Sequence, residues 1–251
     1  MFNIIKTFAV ILFLLVAVKL NATPLIVATE GDYPPFSYFD EAGNLSGFDV
    51  DIAHALCEAM QRECEVIAVP WVDLLDRLEA GDYQMIVASI AKTAERKKRV
   101  LFTDYYYRSQ TSFVGDPRRF ISISPDALVG RVISAGRDSI QADFLIERYS
   151  SSTILLTNNL IESFELLVTG EADLVLTDSI NSLDFLRSTA GATFDFISEP
   201  LMDPILKSEA HIAVALGDVE LAEAINKAII DIRLSGIYDQ INRRYVPFSI
   251  Y

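Results

Sequence analysis

Four side chains in this 251-residue chain have types and positions suited to holding a small charged molecule. Arg96 carries a planar guanidinium fork that fits a carboxylate bidentately. Asp178 offers a carboxylate suited to an ammonium group. Tyr33 and Trp71 are rings that can clamp a flat or aliphatic side chain. Each follows a β-rich run: Leu25–Ala28, Met85–Ala88, Cys64–Val69 and Leu174–Leu176 precede Tyr33, Arg96, Trp71 and Asp178 respectively. Ligands of open α/β sheets sit beyond the carboxyl ends of strands. Each residue also has a plainer reading. Arg96 belongs to the charge run Glu95-Arg96-Lys97-Lys98-Arg99, and surface charges are commonly just solvated. Asp178 can cap the helix that follows, a role compatible with ligand binding. Aromatic rings are most often core. Catalytic signatures are missing: the chain has no nucleophile elbow, no phosphate-cradling glycine loop and no zinc motif.

The elements that must position these residues alternate in type. Phe48–Met60 has a helical apolar period, and Leu74–Leu78 is a helix stopping near Gly81. A polar loop, Ser89-Ile90-Ala91-Lys92-Thr93, leads from the strand Met85–Ala88 to Arg96. Its hydroxyls and amides can complete a polar shell. Farther on, strands are expected at Val129–Ser134, Ile154–Leu156, Leu174–Leu176 and Ile212–Ala215. Helices are expected at Ser139–Tyr149, with Ser139 as N-cap, and at Ile161–Thr169, Ser179–Arg187, Val219–Leu234 and Ile237–Tyr245. Strands alternating with helices imply mostly parallel sheets flanked by helices, an α/β class. Two such sets, divided near residue 110, suggest two lobes.

The remaining bounds come from charge, thiols and the N-terminus. The formal charge is −14, which disfavours nucleic acid, because phosphate contacts dominate that affinity. It weakly favours cationic ligands. Lys6 followed by the apolar run Phe8–Val18 falls short of the roughly 20 residues of a membrane span. With small residues near Ala22, it reads as a secretory signal peptide over residues 1–22. A secreted chain with only Cys57 and Cys64 is expected to pair them. His54 and His211 lie far apart with no ligand cluster around them, so no metal and no cofactor are expected.

In order and spacing, several words together resemble the solute-binding proteins that serve ATP-binding-cassette importers of polar amino acids. They are Gly31-Asp32-Tyr33-Pro34-Pro35-Phe36-Ser37, Gly47-Phe48-Asp49-Val50-Asp51-Ile52-Ala53, Trp71 with Leu74-Leu75 and Leu78, Thr93-Ala94-Glu95-Arg96 ahead of Phe102-Thr103, and Gly236-Ile237-Tyr238-Asp239 with Tyr245. Within that family the chain is most similar to the lysine/arginine/ornithine/histidine-binding subgroup, whose disulfide spacing Cys57 and Cys64 match. The resemblance implies the two-lobed periplasmic binding protein fold (type II) with two hinge crossovers. Lobe 1 would hold residues 23–109 and 207–251, and lobe 2 residues 110–206. It implies a periplasmic monomer that captures a free amino acid, basic by preference, and delivers it to a membrane permease. It gives Glu30 the ligand's distal cation, Tyr33 and Trp71 the stacking, Ser89 and Asp178 the α-ammonium, and Arg96 the carboxylate. The backbone N–H groups from Ser139 and Ile140, at a helix start, would also meet the carboxylate.

Two positions depart from the family pattern. Ala91 stands where Ser or Thr is usual, which removes a hydroxyl and leaves a backbone N–H. Asp138 stands where glycine is common, and its carboxylate near the ligand's own would repel it unless Arg137 or Arg96 compensates. An amino-acid conjugate is therefore a second ligand class. The same scaffold also supports cyclohexadienyl (arogenate or prephenate) dehydratases, for which Glu30, Asp138 or Glu171 would be the candidate general acid. A soluble sensor module is the remaining alternative. The chain ends directly after one module, which argues against a receptor.

Overall fold

The computed structural model describes residues 23–207 and 209–251. The expected signal peptide lies outside them. The first half opens with strand β1 (Leu25–Thr29) and a small antiparallel ribbon, β2 (Asp32–Tyr33), β3 (Ser37–Phe39) and β4 (Leu45–Ser46). Helix α1 (Phe48–Ala59), β5 (Cys64–Ala68), α2 (Leu74–Ala80), β6 (Met85–Ala91) and β7 (Val100–Arg108) follow. The chain then enters β8 (Thr111–Gly115), β9 (Val132–Gly136), α3 (Ile140–Arg148), β10 (Thr153–Thr157), α4 (Leu160–Thr169), β11 (Leu174–Asp178), α5 (Ser179–Arg187) and β12 (Asp195–Phe196). It closes with β13 (Glu209–Ala215), α6 (Val219–Leu234) and α7 (Ile237–Tyr245).

Two five-stranded sheets result, ordered β5-β1-β6-β13-β7 and β10-β9-β11-β8-β12. Each has four strands running one way and one running against them, β13 in the first and β8 in the second. The chain leaves the first sheet between Arg108 and Thr111 and re-enters it at Glu209. Both sheets are buried on both faces, which explains the apolar runs in their strands. Val27 and Val87 face a core shared with α1, α6 and α7, while their neighbours Ala28 and Ala88 face one shared with α2. Likewise Phe113 and Val114 point to opposite cores of the second sheet.

Local signals explain most boundaries. Ser139, Asn159, Asp178 and Asp218 cap α3, α4, α5 and α6 with side-chain oxygens. Gly81 and Gly170 end α2 and α4 in the left-handed conformation. Gly47, at φ 133°, has no room for a side chain: a Cβ would sit 2.2 Å from the Phe36 carbonyl oxygen. That approach lets Asp49 donate its N–H to Phe36 at 2.8 Å and starts α1 directly behind the β3 strand.

Three readings shift. The loop expected after Ala88 is strand: β6 runs on through Ala91, because Ile90 and Ala91 pair with His211 and Ala210 of β13. Strands β7 and β8 had no sequence signal. Register breaks around His211 interrupt the two-residue alternation of β7, and β8 is buried on both faces. The strand expected at Val129–Ser134 starts later, since Gly130 turns at φ 72° and Val129 is exposed. No helix among the described residues is long and apolar enough to cross a membrane.

A disulfide joins Cys57 of α1 to Cys64 of β5 across a separation of 7 residues. So short a loop restrains the unfolded chain modestly, about 2–3 kcal/mol. The double variant C57S/C64S should therefore fold and lose about that much in urea unfolding. Its melting temperature should fall by roughly 5–10 °C.

Candidate functional site

A cleft of about 840 Å³, its mouth included, opens between the two sheets at their strand ends. All nine residues singled out for binding line it. Glu30, Tyr33, Trp71, Ser89, Ala91 and Arg96 come from the first half, and Ser139, Ile140 and Asp178 from the second. Arg137, Asp138 and Glu171 are exposed and lie outside this lining.

Arg96 is buried, unlike its neighbours in the charge run. Its Nη1 donates to the Ala91 carbonyl at 2.9 Å and its Nη2 to the Asp138 carbonyl at 2.7 Å. Its guanidinium carbon stands 5.2 Å from the centre of the Trp71 ring. Burial lowers its pKa to about 10, with Asp143 and Asp138 opposing, so it stays charged at neutral pH. It has no carboxylate ion-pair partner among the described residues. A buried cation held only by carbonyls retains donors and positive charge for an anion.

Asp178 is both a cap and a cleft residue. Its Oδ1 accepts from the Ile180 N–H at 2.8 Å, capping α5, and from the Ser109 hydroxyl at 2.6 Å. Burial raises its pKa to about 6 despite these bonds. Glu30, at the end of β1, is 5 % exposed and makes no side-chain hydrogen bond among the described residues. Burial, with Asp32 and Asp49 nearby, pushes its carboxyl well above the usual range. Such a group gains from a cation in the cleft.

Behind the wall lies a residue the sequence did not flag. Asp49, in the first turn of α1, is 0 % exposed. It accepts from the Tyr106 hydroxyl at 2.7 Å and the Ser89 hydroxyl at 2.8 Å. Burial lifts its pKa to about 7. Tyr106 in turn accepts the Ser89 N–H at 2.9 Å. That network holds Ser89 at φ 55°, a left-handed conformation costing a non-glycine residue about 1–2 kcal/mol. Asp49 reads in sequence as an ordinary first-turn acid of an amphipathic helix. Its only signal was its place in the Gly47-Phe48-Asp49 word. Tyr106 and Ser109 lay in a stretch without periodicity.

Bonds from one half to the other show that the cleft is shut. Trp71 Nε1 donates to the Arg137 carbonyl at 2.9 Å, Arg96 to Asp138, and Asn181 Nδ2 to the Pro34 carbonyl at 2.8 Å. Tyr33 packs against cores of both halves. Ser139 caps α3, accepting from the Ala142 N–H at 3.1 Å. Asp138 adopts φ 58°, which favours glycine, and presents its carbonyl to Arg96. Among the described residues there is no cluster of side chains suited to a metal ion.

The sequence profile of the bacterial extracellular solute-binding proteins, family 3, matches residues 25–248. An L-arginine-binding protein of Pseudomonas aeruginosa is 34% identical over 237 residues, covering 91% of this chain and 90% of its own. The lysine/arginine/ornithine-binding periplasmic protein of Escherichia coli is 27% identical over 229 residues, covering 90% of this chain and 88% of its own. Among solved structures, an ancestral arginine-binding protein bound to arginine superposes with a TM-score of 0.83 at 27% identity. It covers 90% of this chain and 99% of that one.

The raised carboxyls make stability depend on pH. The folded state holds protons on Asp178 and Asp49 that the unfolded state has released. Their contribution is full below about pH 4 and is lost as pH rises through about 6 to 7. Urea unfolding without ligand should therefore show stability declining by a few kcal/mol between pH 5 and pH 8. Asp49→Asn should flatten that decline.

Proposed function

The chain belongs to the bacterial extracellular solute-binding proteins, family 3, and from that premise we propose that it captures a basic L-amino acid, arginine foremost. The observation that carries this reading is a set of buried and half-buried charged groups in one cleft that find no counter-ion among the described residues. Arg96, Asp178 and Glu30 line the cleft together with Lys207 and Glu209, but Lys207 is exposed and Glu209 pairs with Arg108, which leaves one guanidinium and two carboxyls for a ligand. A zwitterion with a cationic side chain is the small molecule that supplies one anion and two cations. Arg96 takes the α-carboxylate, Asp178 the α-ammonium, and Glu30 the distal cation. Tyr33 and Trp71 flank the aliphatic stem. The names of the relatives support the same choice.

Capture then works by closure. Residues 23–109 and 207–251 form one lobe and 110–206 the other, and the two crossing segments act as hinges. Bound ligand bridges Arg96 and Glu30 on one lobe to Asp178 on the other. Differential affinity for the closed form shifts the population toward it. An importer permease reads that form, and the protein acts as a periplasmic monomer without catalysing a reaction. One observation favours a dehydratase reading: burial pushes the Glu30 carboxyl well above the usual range, as suits a general acid. Incubation with arogenate or prephenate should nevertheless give no phenylalanine or phenylpyruvate.

Titration calorimetry tests the ligand. Arginine at a hundred times its dissociation constant should stabilise the protein by about 2.7 kcal/mol. Citrulline, which has nearly the same shape but a neutral tip, should bind on the order of a hundredfold more weakly, because Glu30 then lacks its cation. Glu30→Gln should erase most of that difference. If arginine and citrulline bind alike, Glu30 does not read the side chain. Stabilisation by no amino acid would leave the ligand to another class.

A further inference from the structure

Asp49 is sealed behind the cleft wall, and among the described residues its carboxylate oxygens hydrogen-bond only Ser89 and Tyr106. The three residues form a closed ring of hydrogen bonds, since Tyr106 also accepts the Ser89 N–H. A serine hydroxyl has one proton to give and two lone pairs to receive with. Above about pH 7, where Asp49 is ionised and can only accept, the proton goes to Asp49 Oδ2. Ser89 lines the cleft, and its hydroxyl oxygen is then left as an acceptor only. An acceptor welcomes N–H donors and repels carboxylate or carbonyl oxygen. Ser89 thereby has a fixed polarity, which neither it nor the backbone would impose alone.

We propose that Asp49 is a positioning residue that turns the Ser89 oxygen toward the cleft as an acceptor for the ligand's ammonium group, and so sets which end of the amino acid lies there. The proposal rests on the amino-acid reading given above. The isosteric Asp49→Asn change keeps the volume but alters the ring. Tyr106 must still donate to the side-chain oxygen, so the new amide N–H₂ faces Ser89 and donates to it. The Ser89 proton is then released toward the cleft, where it opposes an ammonium.

Calorimetry on the purified wild type, D49N, S89A and D49N/S89A tests this, with arginine and desamino-arginine (the analogue without the α-ammonium) as probes. D49N should weaken arginine about tenfold to a hundredfold and change desamino-arginine little, because one hydrogen bond to a charged group is lost. In the S89A background the D49N change should cost less than about threefold, since there is no hydroxyl left to orient. Either arginine affinity unaltered in D49N, or an equal D49N loss with and without the Ser89 hydroxyl, overturns the proposal. If D49N does not fold, S89A decides alone. It should lose affinity for arginine but not for desamino-arginine, and equal losses overturn the proposal. Failure of the wild type to bind arginine at all would instead sink the amino-acid reading, and this inference with it.

Discussion

The structure turns on the cost of burying charge without a counter-ion. Removing a carboxylate or guanidinium from water carries a penalty of several kcal/mol, against a total stability of roughly 5–15 kcal/mol. Glu30 and Arg96 are both nearly inaccessible, and among the described residues neither finds an oppositely charged side chain at ion-pair distance. The protein limits the expense in two ways. Burial raises the pKa of the Glu30, Asp49 and Asp178 carboxyls, so each takes up a proton more readily than an exposed carboxylate. The fold also gives Arg96 two backbone carbonyls, which partly solvate the guanidinium without neutralising it. The residual cost is what a complementary ligand relieves, so affinity and closure share one origin.

The two sheets make that arrangement possible. Each has four codirectional strands and one reversed strand, and each presents its strand ends to the cleft. Arg96 follows β6 and Asp178 ends β11, so opposite charges belong to different sheets and meet only when the halves close. Closure is reinforced by carbonyls of the second half, those of Arg137 and Asp138, which receive Trp71 and Arg96. The residues that would hold the ligand are thus also those that hold the halves together. A ligand missing either charge would leave a closed cleft with a stranded ion, which favours reopening.

Much of this was legible in the sequence because it was written in local rules. Helices α5, α6 and α7 follow apolar periodicity to their ends. Ser139 and Gly170 punctuate as their chemistry demands. Tyr33, Trp71, Arg96 and Asp178 stood out because each trails a strand-like run. Non-local features were hidden. The alternation of β7 is broken by bulges that exist only against β13. Asp49 sits in a helix turn where acids are ordinary, and only tertiary packing seals it beneath Ser89 and Tyr106. Glu30 had no motif chemistry of its own and entered through family resemblance alone.

The two departures from the family pattern, Ala91 and Asp138, show how the site separates its tasks. A missing hydroxyl at Ala91 and an added carboxyl at Asp138 would both matter if side chains anchored the carboxylate end. Each instead contributes its carbonyl to Arg96, and the Asp138 side chain is exposed, outside the cleft lining. Backbone atoms are indifferent to side-chain identity, provided the chain can adopt the conformation. Asp138 does so at a positive φ, where aspartate is among the better-tolerated non-glycine residues. The carboxylate anchor thus tolerates substitution, because Arg96 is positioned by main chain. In the proposed binding mode, discrimination would fall to groups that act through their side chains, Glu30 at the far end and Ser89 with Asp49 behind it.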